Sequence, residues 1–315
     1  MNKRFLLIII IYFLLIIIFL GCMDGKFKTR EEAIPYDAVK ITPETDFYPP
    51  QLHSDEYNEP VPLLGSVNTR GAEDSPFIPC CENDILYFFF TPDVDVPVEK
   101  QLLDGVTGIY VSKEINGQWN NVERILLQDP WKVALDGCTF VNNNIIWFCS
   151  ARQGYTGIHW FTAQYTNGKW TKWEKADFEP ELDVGELHFT NNFTELYYHS
   201  KRAGGKGGTD IWYSQNHNGT WQDPVNIESI NSEENEGYPY ITPDGAELWF
   251  TRTYLGTPAI FRSFKVNGQW QEPELIISQF AGEPTLDDEG NIYFVHHFYK
   301  EGTMIEADIY VSYRK

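Results

Sequence analysis

Short apolar stretches recur along this chain at a fixed distance. One strand-like run appears as Ile109-Tyr110-Val111-Ser112, Ile158-His159-Trp160-Phe161, Ile211-Trp212-Tyr213-Ser214, Ile260-Phe261-Arg262-Ser263 and Ile309-Tyr310-Val311-Ser312. The first residues of these runs stand 49, 53, 49 and 49 positions apart. An Asn-Gly-x-Trp tetrad follows four of them, at 116–119, 167–170, 218–221 and 267–270. Asn-Gly tolerates positive φ at both positions and so marks a tight hairpin. Upstream of each run lies an aromatic strand: Leu86-Tyr87-Phe88, Ile146-Trp147-Phe148, Leu196-Tyr197-Tyr198, Leu248-Trp249-Phe250 and Ile292-Tyr293-Phe294. Each repeat thus holds three clear strands and a weaker fourth after the Trp. Four-stranded units at this period predict an all-β chain, a five-bladed β-propeller over residues 57–315.

The last repeat stops after its third strand, and its fourth is found near the other end of the chain. Glu59-Pro60-Val61-Pro62-Leu63 matches Asp223-Pro224-Val225-Asn226-Ile227 and Glu272-Pro273-Glu274-Leu275-Ile276. The match continues, since Val67-Asn68-Thr69 through Glu73, Pro76 and Ile78 parallels Ile230-Asn231-Ser232 through Glu236, Pro239 and Ile241. The N-terminal strand is therefore expected to complete the last blade and close the ring, which removes free strand edges.

Residues 1–21 break the pattern. Lys3 and Arg4 precede an apolar run from Phe5 to Leu20, and Gly21-Cys22 follows. This is the order of a secretory signal. Phe19-Leu20-Gly21-Cys22 resembles a bacterial lipobox, which implies lipidation of Cys22 and a membrane-anchored protein of the cell envelope or periplasm. An uncleaved anchor and a simple secretory signal are the alternatives, and all three place the body outside the cytoplasm. Residues 22–56 carry Pro35, Pro43, Pro49 and Pro50 among mixed charges without apolar period, and read as a tether.

Composition narrows the partners. A net charge of −21 argues against nucleic acid. It favours a neutral carbohydrate, a cation such as calcium, or a basic peptide over an anionic ligand. Export permits disulfides. A hairpin turning at Asn143-Asn144 places Cys138 opposite Cys149, within bridging reach. Adjacent Cys80 and Cys81 either bridge to each other or remain small core residues. No C-x-x-C pair occurs, and the seven His show no metal-ligand spacing.

Ile241-Thr242-Pro243-Asp244-Gly245 followed by Leu248-Trp249-Phe250 resembles the repeat of TolB-type, WD-like β-propellers, and the Gly-rich stretch Ser200–Ile211 resembles a loop of the same family. The resemblance implies an exported binding or scaffolding unit, with no shared catalytic motif.

Strand order in such a ring puts the starts of the inner strands and the loops between second and third strands at one end. There the sequence offers Glu73, Asp74, Asp136, Glu186, Glu236 and Glu283, together with Arg152, Lys201, Arg202, Arg252, His296 and His297. Ligand-binding candidates are Glu73, Glu186, His188, Arg202, Glu236, Arg252, Glu283 and His296, with Glu186 foremost. The competing reading makes these groups inter-blade ion pairs. Asp74, Asp136 and Glu186 also resemble the three inner-strand carboxylates of five-bladed arabinanase- and invertase-type glycoside hydrolases, where one acid protonates the leaving oxygen and another activates water or attacks carbon. A ligand site is expected at the carboxylate-lined end rather than at the Asn-Gly-x-Trp end, because its loops vary more.

Overall fold

A computed structural model describes residues 28–129, 131–178 and 184–315. The signal and Cys22 lie outside the described residues. Apolar residues at consecutive positions, such as Leu248, Trp249 and Phe250, are all fully buried, as expected of strands covered on both faces. The chain is all-β and runs as successive antiparallel meanders. One sheet orders Ala134–Asn142, Ile145–Arg152, Ile158–Thr166 and Lys169–Lys175. A second holds Leu187–Phe189, Glu195–Ser200 and Asp210–His217, which pairs outward with Thr220–Trp221 and Val225–Asn226. A third orders Glu236–Ile241, Glu247–Tyr254, Thr257–Val266 and Glu274–Ser278. The fourth joins Ala281–Leu286, Ile292–Lys300 and Thr303–Ser312 to Ala72–Phe77, Ile85–Thr91, Gly108–Ile115 and Gln118–Arg124, through the single parallel bridge Ala307↔Ala72.

Local chemistry explains the hairpins. Asn116, Asn167, Asn218 and Asn267 have φ near +50°, and the glycine after each is also positive. The tetrad tryptophans pack between units: Trp119 meets Tyr293 edge-on at 5.9 Å, and Trp270 meets Tyr197 at 6.0 Å. The serine ending the third strand donates to the outer strand's backbone, Ser214 Oγ to the Gln222 carbonyl and Ser263 Oγ to that of Gln271, both 2.6 Å. In the last meander Ser312 Oγ donates to the Asn58 carbonyl at 2.6 Å, and Val61 and Pro62 pair with Val311 and Tyr310. The N-terminal strand occupies the fourth-strand place. Cys138 and Cys149 form a disulfide across their hairpin.

Residues 28–56 are not a free tether. Arg30 pairs with buried Glu73 at 3.1 Å, and Lys40 pairs with Glu306 and Asp308. Asp46 meets His296 at 2.8 Å, Gln51–Leu52 extends the third sheet beside Glu274–Ser278, and Glu56 meets Arg262 at 2.5 Å. The proline-rich composition has no apolar period because this segment docks through charge, one short strand and scattered apolar contacts, with Ile34 buried and Ala38, Ile41 and Leu52 packed against the core.

Candidate functional site

The inner strands share an irregularity that builds the site. Register shifts fall between Asp74 and Phe77, Gly137 and Phe140, Gly237 and Tyr240, and Gly282 and Thr285. The bulge residues Ser75, Cys138, Tyr238 and Glu283 all have φ between 47° and 55°. Pro76, Pro239 and Pro284 follow three of them, where a missing N–H costs no ladder bond. Neighbouring units interlock here, the Glu283 amide donating to Thr251 Oγ1 at 2.7 Å and the Tyr238 amide to His199 Nδ1 at 3.2 Å. Gly237 and Gly282 permit this approach, since a Cβ on either would lie 3.1 Å from His199 or 3.3 Å from Thr251.

Aligning the ladders sorts the candidate acids into three successive register positions. Glu73, Asp136 and Glu236 face Phe90, Ser150 and Arg252 across their hairpins and are equivalent. Each is held by an arginine. Glu73 binds Arg30 and both the amide and hydroxyl of Thr69 (2.9 and 2.7 Å). Glu236 binds Arg252 Nε at 2.8 Å and the amide and hydroxyl of Ser232. Asp136 binds Arg152 Nη2 at 2.7 Å and Ser150 Oγ at 2.5 Å. Burial pushes the Glu73 carboxyl up to about 7 and Glu236 above its usual range, against the pull of their arginines. Each of these three is held by its arginine, which sets Asp136 apart from the Asp74 and Glu186 that it is expected to join.

The next two positions carry the axial cluster, Asp74 at the first and Glu186 and Glu283 at the bulge residue that follows. Glu283 accepts from the Ser75 amide (2.9 Å) and hydroxyl (2.8 Å), and the same hydroxyl lies 3.4 Å from Glu186 Oε1. Asp74, Glu186 and Glu283 sit in one electrostatic field. Burial first, then mutual repulsion, holds Asp74 and Glu186 well above the ordinary carboxylate range, and burial raises Glu283. The Tyr238 hydroxyl feels all three, Glu283 most strongly, and is pushed up as well. Among the described residues no lysine or arginine forms an ion pair with these acids. A narrow cavity of about 40 Å³ lies between Ser75, Thr139, Glu186, His188, Tyr238 and Glu283.

His188 lines this cavity, buried among Phe77, Phe140 and Tyr240, with neither ring nitrogen hydrogen-bonded. Burial pushes its pKa down to about 3. A larger cavity of about 240 Å³ also touches His188 and Tyr240 and reaches Cys80, Asn143, Asn191 and Pro243, in the turns after the inner strands. The larger of these two cavities is thus on the hairpin side, whereas a cavity of about 720 Å³ reaches Leu102, Arg124 and Asp136 at the carboxylate-lined end.

The other candidates lie elsewhere. Arg202 stacks on Trp212 at 5.1 Å and donates to Tyr198 Oη at 3.3 Å. Arg252 serves Glu236, and His296 is buried against Asp46. The Gly-rich loop wraps a carboxylate of its own, the amides of Lys206 and Gly207 donating to Asp210 at 2.6 and 3.2 Å. Ser75 and Tyr238 escaped the sequence reading. The signal that finds them is the bulge proline, and a second signal marks Asp74, which stands where the other units have Gly137, Gly185, Gly237 and Gly282.

No protein-family model matches the sequence, and no curated protein does. Solved structures with similar folds include GH43B of a xyloglucan PUL from Bacteroides ovatus, 15% identical with a TM-score of 0.50, covering 79% of this chain and 53% of that one. TolB from Acinetobacter baumannii is 10% identical with a TM-score of 0.42, covering 78% and 55%. A protein of unknown function from Dyadobacter fermentans is 12% identical with a TM-score of 0.48, covering 83% and 100%. The chain spans about half the length of the first two. At these identities the likeness is one of fold, and the fold is that of a β-propeller.

Proposed function

We propose that this chain is a lipid-anchored, exported binding module, a five-bladed propeller closed by its N-terminal strand, that takes a cationic group at its axis. The observation carrying this reading is the convergence of Asp74, Glu186 and Glu283 on Ser75 without a lysine or arginine partner among the described residues. Three crowded carboxylates desolvated together hold protons that a cation can displace. The space beside Glu186 and Glu283, about 40 Å³, suits an ion or the tip of a basic side chain. It is far below the roughly 300–1,000 Å³ of sites that enclose a small organic ligand. The hydrolase reading is weaker on the same ground, because a sugar ring has no room between the acids and Asp136 is held by an arginine.

The test is calorimetric titration of the full chain in detergent at pH 7.5 with calcium, magnesium and an arginine-containing peptide. One of the three should bind with proton release, and Asp74→Gly, which restores the residue of the other repeats, should abolish that binding while the chain stays folded. Absence of binding by all three, or binding indifferent to Asp74→Gly, refutes the axial site. For the architecture, deletion of residues 57–66 should abolish the cooperative melting transition, and an unchanged transition refutes closure.

A further inference from the structure

At the wide mouth of the axial cavity two hairpin turns from different meanders meet. Cys80 and Cys81 follow Ala72–Phe77, and Asp288 follows Ala281–Leu286. The two Sγ atoms are 3.2 Å apart and both thiols are free. The backbone turns sharply at Cys81, with φ +68°. The turns are tied together, since the Cys81 amide donates to both Asp288 oxygens (3.3 and 3.1 Å) and the Asp288 amide donates to Asn83 Oδ1 at 3.0 Å. Asn191 Nδ2 donates to Cys80 Sγ at 3.5 Å from a third turn. Two sulfurs and a carboxylate oxygen lie within 4.8 Å of one another.

We propose that Cys80, Cys81 and Asp288 bind a thiophilic divalent cation of the zinc class, with one coordination position left open toward the cavity that His188 and Tyr240 line. Adjacent thiolates are soft ligands that select such ions over calcium or magnesium. Two sulfurs and one oxygen supply three corners of a tetrahedron, the ligand count of zinc sites that keep a place for water or a further ligand. Binding forms two metal–sulfur bonds and one metal–oxygen bond and releases the two thiol protons to solvent, with no change of oxidation state. The amide bonds to Asp288 and the Asn191 contact to Cys80 orient the donors from outside, the role that outer partners have around metal ligands. This site is distinct from the axial acids and stands whether or not they bind a cation.

The experiment is a cobalt titration of the full chain, reduced and desalted under argon, followed by zinc. The expected result is one cobalt per chain with sulfur-to-cobalt charge-transfer absorption, lost in Cys80→Ser and in Cys81→Ser, retained in Cys22→Ser and displaced by one zinc. Asp288→Asn should weaken affinity by at least about tenfold while keeping the absorption. Absence of the absorption in protein whose Cys80 and Cys81 thiols react with a thiol reagent overturns the proposal. So does absorption that survives both serine variants, or a Cys80–Cys81 disulfide that re-forms under argon after reduction.

Discussion

The molecule holds two sets of acids a residue or two apart in the register of its inner strands, and they are treated in opposite ways. Glu73, Asp136 and Glu236 each meet an arginine, two of which come from the same hairpin and one, Arg30, from the N-terminal segment. Among the described residues Asp74, Glu186 and Glu283 form no ion pair with a lysine or arginine, and Glu186 and Glu283 share the Ser75 hydroxyl. The first set fills an equivalent place in three units, and its partners neutralise it. The second includes a departure from the repeat, Asp74 in a glycine's place. Asp74 raises the pKa of Glu186 and Tyr238, and the proposed cation site rests on this departure from the repeat.

The largest effect should come from breaking a neutralised acid. Arg30→Ala leaves Glu73 buried without its cation and removes a guanidinium stacked on Phe88, Phe90 and Tyr110. Urea unfolding at pH 8 should show a loss of about 3–5 kcal/mol. At pH 5 the loss should be smaller, because a Glu73 carboxyl already near 7 takes a proton. Equal losses at both pH values would mean that Arg30 matters for packing alone.

Removing an axial acid should do the reverse. Asp74→Asn relieves repulsion on Glu186 and should stabilise the ligand-free protein at pH 8 by about 1–2 kcal/mol. Glu236→Gln, in contrast, strands Arg252 and should destabilise. If both variants move the urea midpoint the same way, the two sets are not different in kind.

The pH dependence separates the axial acids from the histidine beside them. Asp74, Glu186 and Glu283 have pKa values raised by folding, so the folded chain holds more protons than the unfolded one. Their contribution is full below the unfolded carboxylate range of about 4 and is lost as pH rises through the raised values. His188 has the opposite sign. Held neutral down to about 3, it contributes fully above its ordinary 6.5 and loses that contribution as pH falls. Glu283→Gln should flatten the alkaline decline of the urea midpoint and His188→Phe the acid one, and slopes unchanged in either variant would remove that residue from the account. The smallest effect belongs to Ser75→Ala. Loss of one hydroxyl shared by Glu283 and Glu186 should cost about 0.5–1.5 kcal/mol and steepen the alkaline decline. A silent substitution would show that the hydroxyl bridges nothing.

The strand framework was legible because its determinants are local. Asn-Gly at four turns needs only positive φ, and the fourth-strand match at Val61-Pro62 needs only comparison of the repeats. The candidate site was legible in part. Glu186 and Glu283 were singled out, but Asp136 was grouped with them because alignment by nearest carboxylate ignores the bulge, which shifts pairing by one residue and turns a different side chain to the axis. Arg30 and Lys40 could not be assigned to their partners at all, since an ion pair spanning 43 or 268 residues leaves no periodic trace.

The N-terminal segment also sets a schedule. Val61 pairs with Val311, and Lys40 with Asp308, so these earlier-made residues must wait for partners far downstream. Such distant pairings close large loops and slow the final step of folding. A waiting segment rich in apolar strands would offer edges to other chains. Residues 28–56 instead carry charge and proline, so the composition that reads as a tether lets the segment wait soluble until Glu73, Glu306 and Asp308 are in place to receive it.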